Sequence, residues 1–193
     1  FNITGVIGPD KKIAFCYAGD IHKSHEAAVE KCRLFDGAVV DEPGDMVIAS
    51  GMGFPKDINL YQTAAKPMNN AVGVLKKDPN SVMIVASECR EGVGSSDTDR
   101  MLHDFDNAHD REVYTRENYT IGLNVAYFFT QYAEDFHVIL VSSLDPDLFK
   151  KTKVHTAKDI TEAIELAKKL TGKEHFKAYI MPYAASTCGT VKH

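Results

Sequence analysis

Short runs of continuous apolar residues alternate with longer amphipathic segments along most of this chain. Two of these runs, SVMIVASE at residues 81–88 and FHVILVSS at residues 136–143, are typical of strands that are buried on both faces. Strands of that kind, separated by helices, form parallel sheets with helices packed against them. The sequence therefore predicts an α/β layered domain with a mainly parallel central sheet flanked by helices.

The first twenty residues have a different pattern. In FNITGVIGPDKKIAFCYAGD, two β-type runs surround a Gly-Pro-Asp-Lys turn, which predicts an opening β-hairpin. Because this hairpin can join the central sheet, that sheet is predicted to be mixed, although mainly parallel. Because no repeat and no low-complexity linker divides the chain, residues 1–193 are predicted to form a single domain.

Helical periodicity fills the spaces between the predicted strands. It is clear in residues 20–35, 118–135 and 155–173, where apolar residues recur every three or four positions. In the last of these, Thr156 is the predicted N-cap and Gly172 the predicted stop. Within residues 59–76, Pro67 leaves two possibilities: a helix that begins at this proline, or a longer helix that is kinked there.

Composition argues against several classes of function. The net charge is −5 with acids and bases interleaved, which argues against nucleic acid or an anionic membrane as the main partner. No apolar stretch approaches the roughly 20 residues of a membrane span. The four cysteines are widely spaced, which indicates reduced thiols and a cytoplasmic location. Because the chain begins at Phe1 in a strand-like run, we expect it to be a domain of a longer polypeptide.

Two of the predicted strands run directly into glycine-rich loops. The loop GMGFPKD (residues 51–57) contains Gly53 and Asp57, and the loop CREGVG (residues 89–94) contains Arg90, Gly92 and Gly94. Ligands of open α/β sheets bind at the carboxyl ends of strands, so both loops are candidate contacts and should lie side by side. The glycines could equally serve tight turns alone, and the first loop lacks the third glycine of a dinucleotide fingerprint.

A compact polar group follows the first loop. Tyr61, Gln62 and Lys66 offer a phenol, a carboxamide and an ammonium on neighbouring turns, a combination that can bind a carboxylate. The alternative is that Tyr61 packs against the core while Gln62 and Lys66 are solvated.

The remaining charged residues give weaker indications. Arg90 could bind a carboxylate or phosphate, or it could form an ion pair with Glu88 or Glu91. His22 and His25 have near-helical spacing, but no third ligand is close in sequence, so no metal site is predicted on this chain.

Three sequence pieces, taken in order, resemble the C-terminal domain of the nickel-dependent lactate racemase family. They are the Ala-Gly-Asp segment with its histidine (AGDIH), the Gly-x-Pro-x-Asp-x-Asn-x-Tyr-Gln loop (GFPKDINLYQ), and the Glu-Cys-Arg-Glu-Gly-x-Gly loop (ECREGVG). The likeness extends over nearly the whole chain.

The resemblance implies a function and a division of labour between two domains. Family members invert the stereocentre of a 2-hydroxy acid by removing and returning a hydride on a nickel pincer nucleotide. The family's catalytic histidines, nickel ligand and cofactor-tethering lysine lie on an N-terminal catalytic domain, which the resemblance implies is absent from this chain. The isolated chain is accordingly expected to be inactive and to hold no cofactor.

This domain of the family contributes a tyrosine, a glutamine and a lysine that face substrate and cofactor across the cleft. Tyr61 and Gln62 match the first two directly. The lysine is expected three positions after the glutamine, where this chain has Ala65, and Lys66 follows one position later. Against the racemase interpretation stands a non-enzymatic one, in which the chain is a stand-alone anion-binding or interaction module.

Overall fold

The structure, a computed structural model, describes residues 1–63 and 65–192. In chain order its strands are β1 (Asn2–Ile7), β2 (Ile13–Gly19), β3 (Gly37–Val40), β4 (Met46–Ser50), β5 (Val82–Ala86), β6 (His137–Val141), β7 (His155–Ala157), β8 (Ala178–Met181) and β9 (Cys188–Val191). Its α-helices are α1 (Ile21–Asp36), α2 (Leu60–Thr63), α3 (Lys66–Ala71), α4 (Ser96–His103), α5 (Ala108–Glu117), α6 (Ile121–Asp135) and α7 (Ile160–Thr171).

The central sheet contains five strands in the order β7-β6-β5-β4-β8, and all its pairings are parallel. The predicted α/β architecture with an opening hairpin is confirmed. The hairpin of β1 and β2 does not join this sheet but forms a separate antiparallel pair, so it leaves the central sheet parallel. A third, two-stranded sheet pairs β3 with β9.

Side chains of the middle strands alternate between two buried clusters, one on each face of the sheet. Val47, Met83 and Leu140 face the cluster that includes Phe129 of α6. Neighbouring residues of the same strands face the cluster that includes Ala163 and Ala167 of α7. This burial on both faces is why the strands are continuously apolar in sequence.

The hairpin packs its inner face against α1 and exposes its outer face. Val6 and Ala28 are buried between them. The outer hairpin face is formed by Ile3, Ile7 and Ile13, which are 68%, 52% and 66% exposed. Exposed apolar area of this kind is typical of a surface that contacts another domain or protein.

One of the two predicted caps of α7 is observed and the other is not. Gly172 adopts the left-handed conformation that ends α7, as predicted. The N-cap of this helix is Asp159, because Thr156 lies within β7. Between residues 59 and 76 the chain forms a short α2 and then α3, which has Pro67 in its first turn. Of the two arrangements considered for this proline, the one without a kinked helix is observed.

One carboxylate joins three segments at the amino end of β4. Asp45 Oδ1 accepts hydrogen bonds from Lys76 Nζ (2.7 Å) and Lys173 Nζ (3.3 Å), and Oδ2 accepts one from the Lys177 amide (3.1 Å). These contacts, led by the bond from Lys76, lower the pKa of the Asp45 carboxyl to about 2. The side chain is 17% exposed, so solvent screens the contacts only in part.

Asp45→Asn is expected to lower the free energy of unfolding at neutral pH by about 1–2 kcal/mol, after a discount for solvent screening. The folded-state pKa lies below the unfolded value of about 3.9, so this stability is present above that value and is lost as pH falls towards 2. The difference between wild type and Asp45→Asn in urea unfolding should therefore shrink between about pH 5 and pH 2. As a control, Asp147→Asn at an exposed ion pair should change stability by less than about 0.5 kcal/mol at any pH.

No helix among the described residues is long and apolar enough to cross a membrane.

Candidate functional site

The two glycine-rich loops lie side by side at the carboxyl edge of the central sheet, as predicted. The first follows β4 and the second follows β5, its neighbour in the sheet. The amide of Cys89 donates to the carbonyl of Asp57, and that of Tyr61 donates to the carbonyl of Val93, both over 3.0 Å. Two further backbone hydrogen bonds join the same loops, so α2 is anchored on the second loop.

Tyr61, Gln62 and Lys66 come together beside this junction. Asn59 Oδ1 accepts the Gln62 amide N–H over 3.0 Å, which caps the short α2. Lys66 Nζ donates to the side-chain carbonyl of Gln62 over 3.1 Å. Because the side-chain carbonyl of Gln62 accepts this hydrogen bond, the side-chain NH₂ group of Gln62 is left to donate to another group. The Lys66 ammonium beside it retains two of its three N–H donors. Tyr61 and Gln62 are half-buried, and Lys66 is exposed.

The structure shows how Lys66 reaches Gln62 although it stands one position later than the lysine of the family pattern. Ala65 is 8% exposed and packs in the core, so a side chain at this position is directed away from the surface. Lys66 is the first residue of α3, with Pro67 next to it, and its long side chain reaches back to Gln62. The ammonium therefore lies next to the glutamine despite the shift.

Arg90 is engaged in contacts within the loops. Its guanidinium forms an ion pair with Glu88 over 3.0 Å and lies over the ring of Phe54 at 5.2 Å from the centroid. Of the roles considered for this arginine, the ion pair with Glu88 is the one observed. Arg90 thus ties the second loop to the exposed aromatic ring of the first.

Left-handed backbone is concentrated in the two loops. Gly53, Gly92 and Gly94 have φ angles of 69°, 75° and 78°, which suit glycine. Met52 (75°) and Cys89 (54°) also adopt this conformation, although side chains disfavour it. No sequence signal marked these two residues, since neither is of a type that commonly adopts a positive φ.

The thiol of Cys89 is buried below the second loop, 3.4 Å from Ser87 Oγ. Burial raises the pKa of this thiol, and the hydroxyl groups of Ser87 and Ser142 offset that rise in part. A thiol in this environment stays protonated and is a poor nucleophile.

Asp57 and Gly53 line a cleft of about 630 Å³ at the carboxyl ends of β4, β5, β6 and β7. Asp57 Oδ2 accepts the amide N–H of Glu88 over 3.2 Å, which explains why this residue is buried between the loops. Ser143 and Lys158, which follow β6 and β7, also line the cleft and were not found from the sequence. Ser143 could have been found from its place at the end of a predicted strand, whereas Lys158 follows β7, which lies in a segment predicted to be helical.

His22 and His25 are both exposed on α1. Within residues 1–63 and 65–192, no three His, Cys, Asp or Glu side chains are grouped so that they could hold a metal ion. These residues therefore give no fit to a nickel site.

Comparison with known proteins places these features in a family. The sequence profile described as the lactate racemase C-terminal domain matches residues 39–187. The lactate racemase of Lactiplantibacillus plantarum is 31% identical over 172 residues, which cover 86% of this chain and 40% of that protein. The lactate racemase of Thermoanaerobacterium thermosaccharolyticum is 33% identical over 96 residues, which cover 49% of this chain and 21% of that protein.

Solved structures agree with this assignment. The lactate racemase apoprotein of T. thermosaccharolyticum superposes with a TM-score of 0.80 at 25% identity, over 99% of this chain and 45% of that chain. A crystal structure of a Thermotoga maritima protein, with a TM-score of 0.55 at 16% identity over 89% of this chain and 42% of that chain, shares the fold alone. This chain spans less than half the length of these relatives. By the match over residues 39–187, the chain belongs to the lactate racemase C-terminal domain family.

Proposed function

We propose that this chain supplies the substrate-orienting half of the active site of a 2-hydroxy-acid racemase or epimerase. The observation that carries the proposal is the contact between Lys66 and Gln62, which sets an ammonium and a free carboxamide NH₂ beside each other. Both groups are hydrogen-bond donors, and together they suit a carboxylate, the group that all 2-hydroxy acids share.

In this proposal the residues of the chain hold the substrate and do not react with it. Lys66 and Gln62 would bind the carboxylate and so fix which carbon faces the opposite side of the cleft. The Tyr61 hydroxyl, which makes no hydrogen bond within residues 1–63 and 65–192, would bind a substrate or cofactor oxygen. Fixed orientation of this kind lowers the barrier because the reacting groups are already aligned when chemistry begins.

Hydride removal and return is the chemistry that a nickel pincer nucleotide would supply. The described residues offer no group of side chains that fits the metal, so the proposal places that cofactor on an N-terminal catalytic domain of the same polypeptide. That domain would also supply the base that accepts the hydroxyl proton.

Exposed apolar side chains support a second domain as the partner. They include the outer hairpin face and Phe54, which is 62% exposed in the first glycine loop. Relatives more than twice as long as this chain have the additional polypeptide that could cover such surfaces.

The test uses the complete two-domain enzyme and follows the racemisation of a panel of 2-hydroxy acids by polarimetry. Lys66→Ala is expected to lower kcat/KM by about tenfold or more, since a charge-assisted hydrogen bond contributes roughly 1.5–3 kcal/mol. Gln62→Glu should be at least as damaging as Lys66→Ala, because it keeps an oxygen for Lys66 but replaces the NH₂ donor with a charge that repels the substrate.

Lys77→Ala, at an exposed lysine outside both loops, is the matched control and should leave kcat/KM unchanged. The isolated 193-residue chain should neither take up nickel tightly nor racemise lactate. Unchanged kinetics in Lys66→Ala would remove the lysine from the site. Turnover by the isolated chain would contradict the division of labour between the two domains.

A further inference from the structure

The cleft that contains Asp57 is separate from the group formed by Tyr61, Gln62 and Lys66, none of which lines it. It opens where four neighbouring strands end. Its volume of about 630 Å³ is within the usual range for small-molecule sites. The polar residues that line it and enter the argument are Ser50, Asp57, Glu88, Ser142, Ser143 and Lys158, and the carboxylate of Glu88 is paired with Arg90.

The carboxylate of Asp57 is the central feature of this cleft. The residue is 7% exposed, and its Oδ2 is held by the amide of Glu88 over 3.2 Å. Its Oδ1 has no hydrogen-bond donor and no ion-pair partner within the described part of the chain. Oδ1 is not one of the fully enclosed polar atoms that lack a partner, so it opens onto the cleft and can accept hydrogen bonds from a ligand.

The serine hydroxyls add both kinds of hydrogen-bonding capacity. Ser142 and Ser143 donate to the carbonyl of Glu88 over 3.1 and 2.6 Å. Ser142 Oγ also accepts the Leu144 amide over 3.2 Å, so Ser143 Oγ offers more acceptor capacity to a ligand than Ser142 Oγ does. Ser50 Oγ accepts the amide of Met52 over 3.0 Å, which leaves its hydroxyl hydrogen free to donate. A ligand that both donates and accepts through several hydroxyl groups matches this lining better than a simple anion does.

Lys158 gives the cleft one positively charged end. It follows β7, is exposed, and its ammonium forms no ion pair with any residue in the described ranges 1–63 and 65–192. An anionic substituent on the ligand would be placed at this end, away from the carboxylate of Asp57.

We propose that this cleft binds a small sugar phosphate. The vicinal hydroxyls donate to Asp57 Oδ1 and the serine oxygens, and the phosphate lies at Lys158. Binding of a sugar diol by a carboxylate at the carboxyl edge of a parallel sheet has a physical precedent in the ribose contact of dinucleotide folds. The proposal does not depend on the racemase function, because its test measures binding and not turnover.

The test is a calorimetric titration of the chain with ribose 5-phosphate, compared with ribose and with inorganic phosphate. Ribose 5-phosphate should bind more tightly than either fragment, since each supplies only one of the two contacts. Asp57→Asn keeps an oxygen for the amide of Glu88 but loses the charge, and should weaken binding by about tenfold. Lys158→Gln should weaken binding by roughly fivefold and reduce its dependence on salt.

Lys169→Gln, which removes the same charge near the other end of α7, should bind like the wild type. If Asp57→Asn does not fold, Lys158→Gln still decides the matter, because its side chain is exposed and unpaired among the described residues. Inorganic phosphate that binds as tightly as ribose 5-phosphate would overturn the proposal. The absence of heat with ribose 5-phosphate, or equal affinity in Lys158→Gln and wild type, would also overturn it.

Discussion

Arg111→Ala is expected to lower the free energy of unfolding by about 3–4 kcal/mol. Arg111 is 1% exposed and lies in α5. Its Nε donates to the carbonyl of Met101 over 3.0 Å, and its Nη2 donates to the carbonyls of Phe105 (2.9 Å) and Lys151. One side chain therefore joins the end of α4, the connection to α5 and the segment before β7.

The loss of stability comes from the carbonyl groups and the cavity that Arg111→Ala leaves unfilled. Burial lowers the pKa of the Arg111 guanidinium, and the carboxylates of Glu134 and Asp106 oppose that shift, so the group stays charged. Alanine removes a charged donor from three carbonyl groups and leaves a cavity where the stem was. Each hydrogen bond from a charged donor contributes about 1.5 kcal/mol or more, which exceeds what is regained by not burying the charge.

The measurement is guanidinium-induced unfolding, with thermal unfolding as a second probe that should show a midpoint lower by roughly 10 °C. Arg116→Ala is the matched control, since Arg116 lies in the same helix, is 75% exposed and pairs with Glu112 at the surface. It should cost less than about 0.5 kcal/mol. If the two variants lose similar stability, the hydrogen bonds from Arg111 do not stabilise the packing of the three segments.

The central sheet could be predicted because strands that are buried on both faces are continuously apolar in sequence. The strands β4, β5 and β6 are apolar at every position except Ser50 and His137 at two strand ends, and such runs differ from amphipathic helices in both length and pattern. The hairpin also had a local signal in its turn. Whether it joins the central sheet depends on long-range pairing, which the pattern of one segment does not encode.

The candidate site could be predicted from the sequence only where its residues lie close together along the chain. Tyr61 and Gln62 were predicted as candidates because they follow a glycine-rich loop after a strand and match the family's Tyr-Gln motif. The group of residues that lines the cleft with Asp57 was not found, because its members come from four separate strand ends. Met52 and Cys89 likewise adopt the left-handed conformation in two loops that pack side by side, and neither residue type predicts it.

Gly94→Ala is expected to lower the free energy of unfolding by about 2–3 kcal/mol, from two separate causes. The first is backbone strain, because Gly94 has a φ of 78°. The second is a collision, since the new Cβ would lie 2.2 Å from Cγ of Asn59. Asn59 would have to swing away, and the cap on the Gln62 amide would then be lost. Urea unfolding of the isolated chain measures the sum of the two.

Gly92→Ala separates the two causes. Gly92 has a φ of 75°, yet a Cβ there would meet no atom within 4 Å, so this variant should show the strain alone, at about 1 kcal/mol. Asn59→Ala loses the cap alone, and combining it with Gly94→Ala should cost little more than Gly94→Ala by itself, since the cap cannot be lost twice. A coupling of about 1 kcal/mol between the two sites would show that Gly94 is needed so that Asn59 can cap α2, the helix that carries Tyr61 and Gln62. Strictly additive losses would mean that the second loop tolerates a side chain at this position without disturbing α2.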